Sequence, residues 1–148
     1  MPEPKPPVGE ALLFMQRVWE LVHALDVKSK RMMRELGVTG PQRLVIRIVG
    51  QTPGQTASDI ATTLGKHPST LTGVLARLEE RDLIVRSADA EDRRRARFHL
   101  TAAGKKIDAL RRGTVEAATR RLLARAEAGA IASTLSTVDM LVEELARD

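Results

Sequence analysis

The chain has 148 residues, with 24 lysines and arginines against 19 acids, a net charge of +5 and a pI near 10.2. That length suits one domain able to bury a core without disulfides or a structural metal. The absence of cysteine excludes disulfides, thiol nucleophiles and thiolate metal sites. No apolar run approaches the roughly 18 residues that a membrane span requires, and the basic balance favours an anionic partner.

Residues 1–9, MPEPKPPVG, are Pro-rich and lack the basic-then-apolar order of a signal peptide, so they are expected to form a disordered lead to a cytoplasmic protein. From residue 10 the apolar positions recur at helical spacing: Leu12, Met15, Trp19, Val22, Leu25, Met32 and Leu36. With Gly37 as a C-terminal stop, residues 10–36 are predicted to form one long helix. Thr39-Gly40-Pro41 opens a second helix that closes near Gly50, and QTPG after it predicts a turn.

Thr56 and Asp59 have the spacing of a capping box, Ile60 and Leu64 supply an apolar face, and Gly65 ends a helix of two to three turns. The next helix starts at Pro68, with Leu71, Val74, Leu75 and Leu78 as its buried stripe. Two short helices joined by a tight turn make a helix-turn-helix. The other face of the second helix carries Ser69, Thr72, Gly73 and Ala76 with Arg77 at its flank. Small side chains there suit a helix lying deep in a groove, and hydroxyls near its N-terminus can meet base edges or phosphates. On this helix alone, an ordinary amphipathic helix with a small polar outer face remains an equal reading.

Ile84-Val85-Arg86 is extended in character, and Ala96, Phe98 and Leu100 alternate with Arg95, Arg97 and His99 at period two. The segment SADAEDRR between them is the tip of a hairpin whose arginines point outward while Phe98 and Leu100 pack inward. This is the wing of a winged helix. Six arginines fall between Arg81 and Arg97 with only four acids among them. Solvated surface ion pairs are worth about 0 to 1 kcal/mol, so stability is a poor reason for the cluster. Arginine at a hairpin tip has a use in the minor groove, where negative potential is focused.

From Thr101, an N-cap candidate, a helix is expected to run to about Arg125. After a break at residues 127–129, Ile131, Leu135, Val138, Leu141, Val142 and Leu145 form an apolar final helix. These helices and residues 10–36 offer more apolar surface than a small winged-helix core covers, which predicts a homodimer. Trp19 and Phe14 are expected in the core or the dimer interface.

The segment TASDIATTLGKHPSTLTGVLARLEERDLIVRSADAEDRRRARFHLTAAG, residues 56–104, resembles the MarR family of transcriptional regulators. The motif that carries the resemblance is Asp92-Arg93-Arg94 in the wing, followed by Thr101 in LTAAG. The resemblance implies a mainly α fold with a small β-hairpin wing, a winged helix-turn-helix flanked by long dimerisation helices. Residues 39–101 would be the DNA-binding lobe, and residues 10–36 and 103–148 the dimerisation helices, within one MarR-like domain spanning 10–148. It implies major-groove contacts from Pro68, Ser69, Thr70, Thr72 and Gly73. In the wing, Arg94 would enter the minor groove with Asp92 orienting its guanidinium. Arg93 and Arg95 beside it, and Arg77 on the helix, complete the candidate DNA contacts.

Two positions depart from the family pattern. Gly73 stands where many relatives have an arginine, and Asp82 stands where they commonly have a helix-ending glycine.

The expected function is that of a dimeric regulator, a repressor of a pseudo-palindromic operator on double-stranded DNA. The resemblance adds release by a small aromatic or phenolic effector. A winged-helix module for protein partners, without sequence-specific DNA binding, is the other reading. His23, His67 and His99 are scattered without metal-ligand spacing, so no metal or other cofactor is expected. No GxSxG, P-loop or GxGxxG is present and tyrosine is absent, so an enzyme lacks its usual parts.

Overall fold

The computed structural model describes residues 9–65 and 68–147; His67, the side chains of Pro68 and Ser69, and the N-terminal lead before Gly9 lie outside the described residues. The chain divides into two units, one ending at Arg111 and the other starting at Arg112.

Helix α1 spans Glu10–Leu36, the bounds that periodicity predicts, and stops at Gly37, whose φ of 77° is left-handed and whose N–H donates to Met33 O at 3.2 Å. Along its length Met32 is the one buried residue. Leu12 and Trp19 are 68% and 67% exposed. Helix α2, Gly40–Gln51, starts at a capping box the sequence analysis did not identify: Thr39 Oγ1 accepts from Gln42 N at 3.3 Å, and Gln42 Oε1 accepts from Thr39 N at 3.0 Å. Ser29 Oγ of α1 accepts the Gly40 N–H at 2.8 Å, which fixes where α2 leaves α1.

Helices α3 (Ala57–Leu64) and α4 (Pro68–Glu80) form the expected helix-turn-helix, and Leu71, Leu75 and Leu78 of α4 are buried with Val74 packed beside them. The sheet has three antiparallel strands in the order β1-β3-β2, with β1 at Gln55–Thr56, β2 at Ile84–Ala88 and β3 at Ala96–Leu100. Strand β1 is an addition to the expected hairpin. It pairs Gln55 with Phe98 and Thr56 with Arg97, tying the wing to the start of α3. Strand β2 runs two residues past the predicted Arg86, pairing Ala88 with Ala96, so the hairpin tip is shorter than SADAEDRR.

The core joins Val45, Ile46 and Val49 of α2, Ile60 of α3, Leu71, Leu75 and Leu78 of α4, and Ile84 and Phe98 of the sheet. Burying a side chain the size of Phe98 or Leu78 is worth about 1.5–3 kcal/mol, so α4 is held by several such contacts. Helix α5, Ala102–Ala109, is capped by Thr101, whose hydroxyl accepts from Gly104 N at 3.0 Å and donates to Asp82 O at 2.6 Å. A Cβ on Gly104 would lie 2.0 Å from Leu83 O, so only glycine lets α5 approach the start of β2.

The long helix expected from Thr101 to Arg125 is broken. Helix α5 ends at Ala109, Leu110 turns to an extended conformation, Gly113 has φ 76°, and α6 restarts at Val115–Leu123 with Thr114 as N-cap. The physical reason lies in α2. Arg43, 1% exposed, donates from Nη1 to Ile107 O and from Nη2 to Leu110 O at 2.6 Å, supplying partners to carbonyls that a continuing helix would have used. Arg47 Nη1 pairs with Asp108 Oδ1 at 2.6 Å beside it. Within the second unit, α7 spans Ala128–Leu145 and leaves Leu135, Met140, Val142 and Leu145 exposed.

Candidate nucleic-acid interface

The outer face of α4 is built by exclusion. With Leu71, Leu75 and Leu78 committed to the core, Thr70, Thr72, Gly73, Ala76 and Arg77 are left exposed. Gly73 has an ordinary helical backbone and, among the described residues, nothing within 4 Å of where its Cβ would stand.

The wing is held by two carboxylates. Asp89 is 7% exposed; its Oδ1 accepts from Glu91 N at 2.9 Å, and its Oδ2 accepts from Arg97 Nε at 2.9 Å and Nη2 at 2.8 Å. The Glu91 N–H and then the Arg97 guanidinium hold the Asp89 carboxyl below its usual range, against the opposing effect of burial. Arg97 Nη1 also donates to Gly54 O at 2.8 Å, so this arginine braces the hairpin to the turn before β1.

Asp92 acts within the turn itself. Its Oδ1 accepts the main-chain N–H of Arg94 at 3.0 Å, and its main-chain carbonyl accepts from Arg95 N at 2.9 Å, so it shapes the turn that carries Arg94. Arg93, Arg94 and Arg95 are all exposed.

Strand β1 brings the wing and the helices together. Thr72 of α4, Arg94 and Arg95 of the wing, Thr56 and Ser58 at the start of α3, and Arg86 of β2 line one cavity of about 320 Å³. Of the predicted site residues, Thr72, Arg94 and Arg95 meet there, whereas Gly73, Arg77 and Arg93 do not line it. Ser58 and Arg86 are additions. Arg86 is held by Glu79, Nε to Oε2 at 2.9 Å and Nη2 to Oε1 at 2.7 Å, and its guanidinium carbon lies 5.5 Å from the centroid of the Phe98 ring. Arg86 stands directly opposite Phe98 in the β2–β3 register, a pairing the sequence alone does not fix.

At the start of α3, Asp59 Oδ2 accepts from Thr56 N at 2.9 Å and from Thr56 Oγ1 at 2.8 Å. The Thr56 N–H, then its hydroxyl, and more weakly the charges of Arg95 and Arg97 lower the Asp59 carboxyl from its ordinary value. Hydroxyls, helix-start N–H groups and arginines on one face attract an anion that is extended along the surface, as a phosphodiester backbone is. Among the described residues no group of three or more His, Asp or Glu side chains is placed to hold a metal ion, and no helix is long and apolar enough to cross a membrane.

Comparison with known proteins finds likeness to one family and to several transcriptional regulators. A family model described as MarR family matches residues 38–96, from the start of α2 to the start of β3. The chain is 31% identical over 90 residues to an HTH-type transcriptional repressor of Mycobacterium tuberculosis, an alignment that covers 61% of this chain and 65% of that protein, so just under two thirds of the relative's length is spanned. Among solved structures, a DNA complex of MepR from S. aureus superposes with a TM-score of 0.71 at 22% identity, covering 94% of this chain and 99% of the other. The PcaV transcriptional regulator from Streptomyces coelicolor, solved with its natural ligand, gives 0.73 at 22% identity, covering 94% and 98%. At that identity the likeness is one of fold, and it extends beyond the winged helix to the flanking helices.

Proposed function

We propose that the chain is a MarR-type regulator through its winged-helix lobe, which the family model matches over residues 38–96, and that it is a dimeric, sequence-specific DNA-binding transcriptional repressor released by a small-molecule effector. The observation that carries the reading is the convergence of Thr72 on α4 with Arg94 and Arg95 of the wing around one arginine-lined cavity. A helix whose outer face carries small and hydroxyl side chains with one flanking arginine fits a major groove, and the wing arginines beside it fit the phosphates and the adjacent minor groove.

In this reading the N-terminal part of α4, with Pro68, Ser69, Thr70 and Thr72, addresses base edges while Arg77 and Arg95 hold phosphates. Arg94 enters the minor groove from a turn shaped by Asp92, and Arg93 adds phosphate contact. The exposed apolar residues of α1 and α7, Trp19 and Leu12 on one and Leu135 and Leu145 on the other, support a second copy as partner. Two-fold symmetry then calls for a pseudo-palindromic operator with half-site centres about 10 bp, one helical turn, apart. Effector release is proposed from the likeness in fold to the PcaV regulator, solved with its natural ligand; a small aromatic or phenolic compound is the class proposed.

A mobility-shift measurement on duplexes recovered by the protein from a random-sequence pool, repeated at two salt concentrations, tests the core of this reading. Sequence-selective retardation that weakens steeply with salt is expected. Failure to enrich any sequence, with the protein folded, returns the reading to a winged-helix module for protein partners.

A further inference from the structure

Gly73 is the one residue of the α4 outer face whose presence the fold does not explain. It sits in the middle of a 13-residue helix, where glycine weakens the helix relative to alanine by giving up the most backbone freedom and leaving the peptide exposed. Other glycines have local reasons. Gly37 and Gly65 are left-handed at helix ends, and Gly104 lies against Leu83 O. Gly73 has no left-handed φ, and among the described residues a Cβ there would meet nothing within 4 Å. Alanine is therefore the better residue for the isolated protein.

We infer that Gly73 is a specificity-determining residue, at which the absent side chain lets the α4 backbone close on a base pair and admit the C5 methyl of a thymine. The inference rests on the DNA-binding reading above. Gly73 adjoins Thr72, which lines the cavity shared with Arg94 and Arg95, so in the DNA-binding reading a duplex engaged by the wing and α4 passes beside this point. The thymine methyl is the apolar projection of the major groove, and its size is that of the group glycine lacks. A side chain at residue 73 and a methyl on the base then compete for one space. The selection works by exclusion, without a hydrogen bond from the side chain.

The test exchanges the two methyl groups. Wild type and Gly73→Ala are measured on the duplex that wild type enriches from a random pool, and on a series in which each thymine in turn is replaced by deoxyuridine. The expected result has three parts: Gly73→Ala melts at a higher temperature, binds the parent duplex about tenfold more weakly, and regains most of that loss on the duplex lacking one particular methyl per half-site. A Gly73→Ala protein that binds the parent duplex as tightly as wild type overturns the inference while leaving DNA binding intact. An equal loss on every deoxyuridine duplex overturns it too. If wild type enriches no duplex, it is the DNA-binding reading that fails.

Discussion

Asp89 and Arg97 close the base of the wing: both the Nε and the Nη2 of Arg97 reach Asp89 Oδ2, at 2.9 and 2.8 Å, while Arg97 Nη1 holds Gly54 O at 2.8 Å. One guanidinium thus links the hairpin tip, β3 and the turn that starts β1. Arg97→Lys should loosen this link, because an ammonium cannot reproduce the planar fork. Amide exchange at residues 88–96 should quicken while α2 and α4 keep their protection, with global stability falling by no more than about 1 kcal/mol. Unchanged exchange in the wing would show the brace to be idle.

The same pair sets an acid response. The folded Asp89 carboxyl is held below its unfolded value of about 3.9, so its contribution is fully present above that pH and is lost as the pH falls through the lowered folded value. Asp59 behaves alike. Wing order should therefore be flat from neutral pH down to about 4 and decline only below it. Asp89→Asn should flatten that acid limb, as followed by the carboxyl and amide chemical shifts of the wing.

Arg94→Ala should leave melting and oligomeric state unchanged, because the side chain is exposed and Asp92 holds only its main-chain N–H. On the selected duplex it should weaken binding by about 1–3 kcal/mol. A titration by fluorescence anisotropy beside a thermal melt separates the two effects. Equal affinity would remove Arg94 from the interface.

Asp82 has φ 54° at the end of α4, the only non-glycine residue among the described ones with positive φ. The left-handed region costs an L-residue roughly 1 kcal/mol, less for Asp than for most. Asp82→Gly should consequently be neutral or raise stability by up to about 1 kcal/mol, since its main-chain carbonyl still accepts the Thr101 hydroxyl. Urea denaturation decides it; a loss above about 1 kcal/mol would mean that the Asp82 side chain has a partner in solution.

Gly104→Ala should do the opposite. The added Cβ would stand 2.0 Å from Leu83 O, and the atom in the way is main chain that cannot rotate aside. Overpacking of this kind costs about 1–3 kcal/mol or more, and the first segments to lose exchange protection should be α5 and the start of β2. Wild-type stability in the alanine variant would refute the close approach.

Helix α1 and the hairpin were readable from the sequence because their signals are local: a 3.6-residue apolar repeat ended by Gly37, and a period-two alternation through Phe98 and Leu100. Strand β1 was not, since Gln55 and Thr56 become a strand only by pairing with Phe98 and Arg97, 43 and 41 residues away. The break after Ala109 had a local hint in Gly113, but its cause is a guanidinium from α2 that no periodicity reveals. In the candidate site, the α4 face followed from its buried stripe. The contact of the Asp92 carboxylate with the Arg94 main-chain N–H follows from the habit of short acidic side chains in turns to accept nearby N–H groups. Arg86 was overlooked among the other arginines, and only the cross-strand register puts it against Phe98 and Glu79.

Arg43 and its acceptor at Leu110 are separated by 67 residues of chain. At about 5–20 residues per second of synthesis, the arginine leaves the ribosome roughly 3 to 13 s before the carbonyl that will receive it. Burying Val45, Ile46 and Val49 of α2 also buries this guanidinium, so the core of the lobe is complete only once the Ile107 and Leu110 carbonyls have arrived. The last turn of α5 is thus the event that licenses closure of the lobe. A nascent chain released short of Leu110 would carry α4 complete yet display an open core, a species for chaperones to hold and for proteases to find.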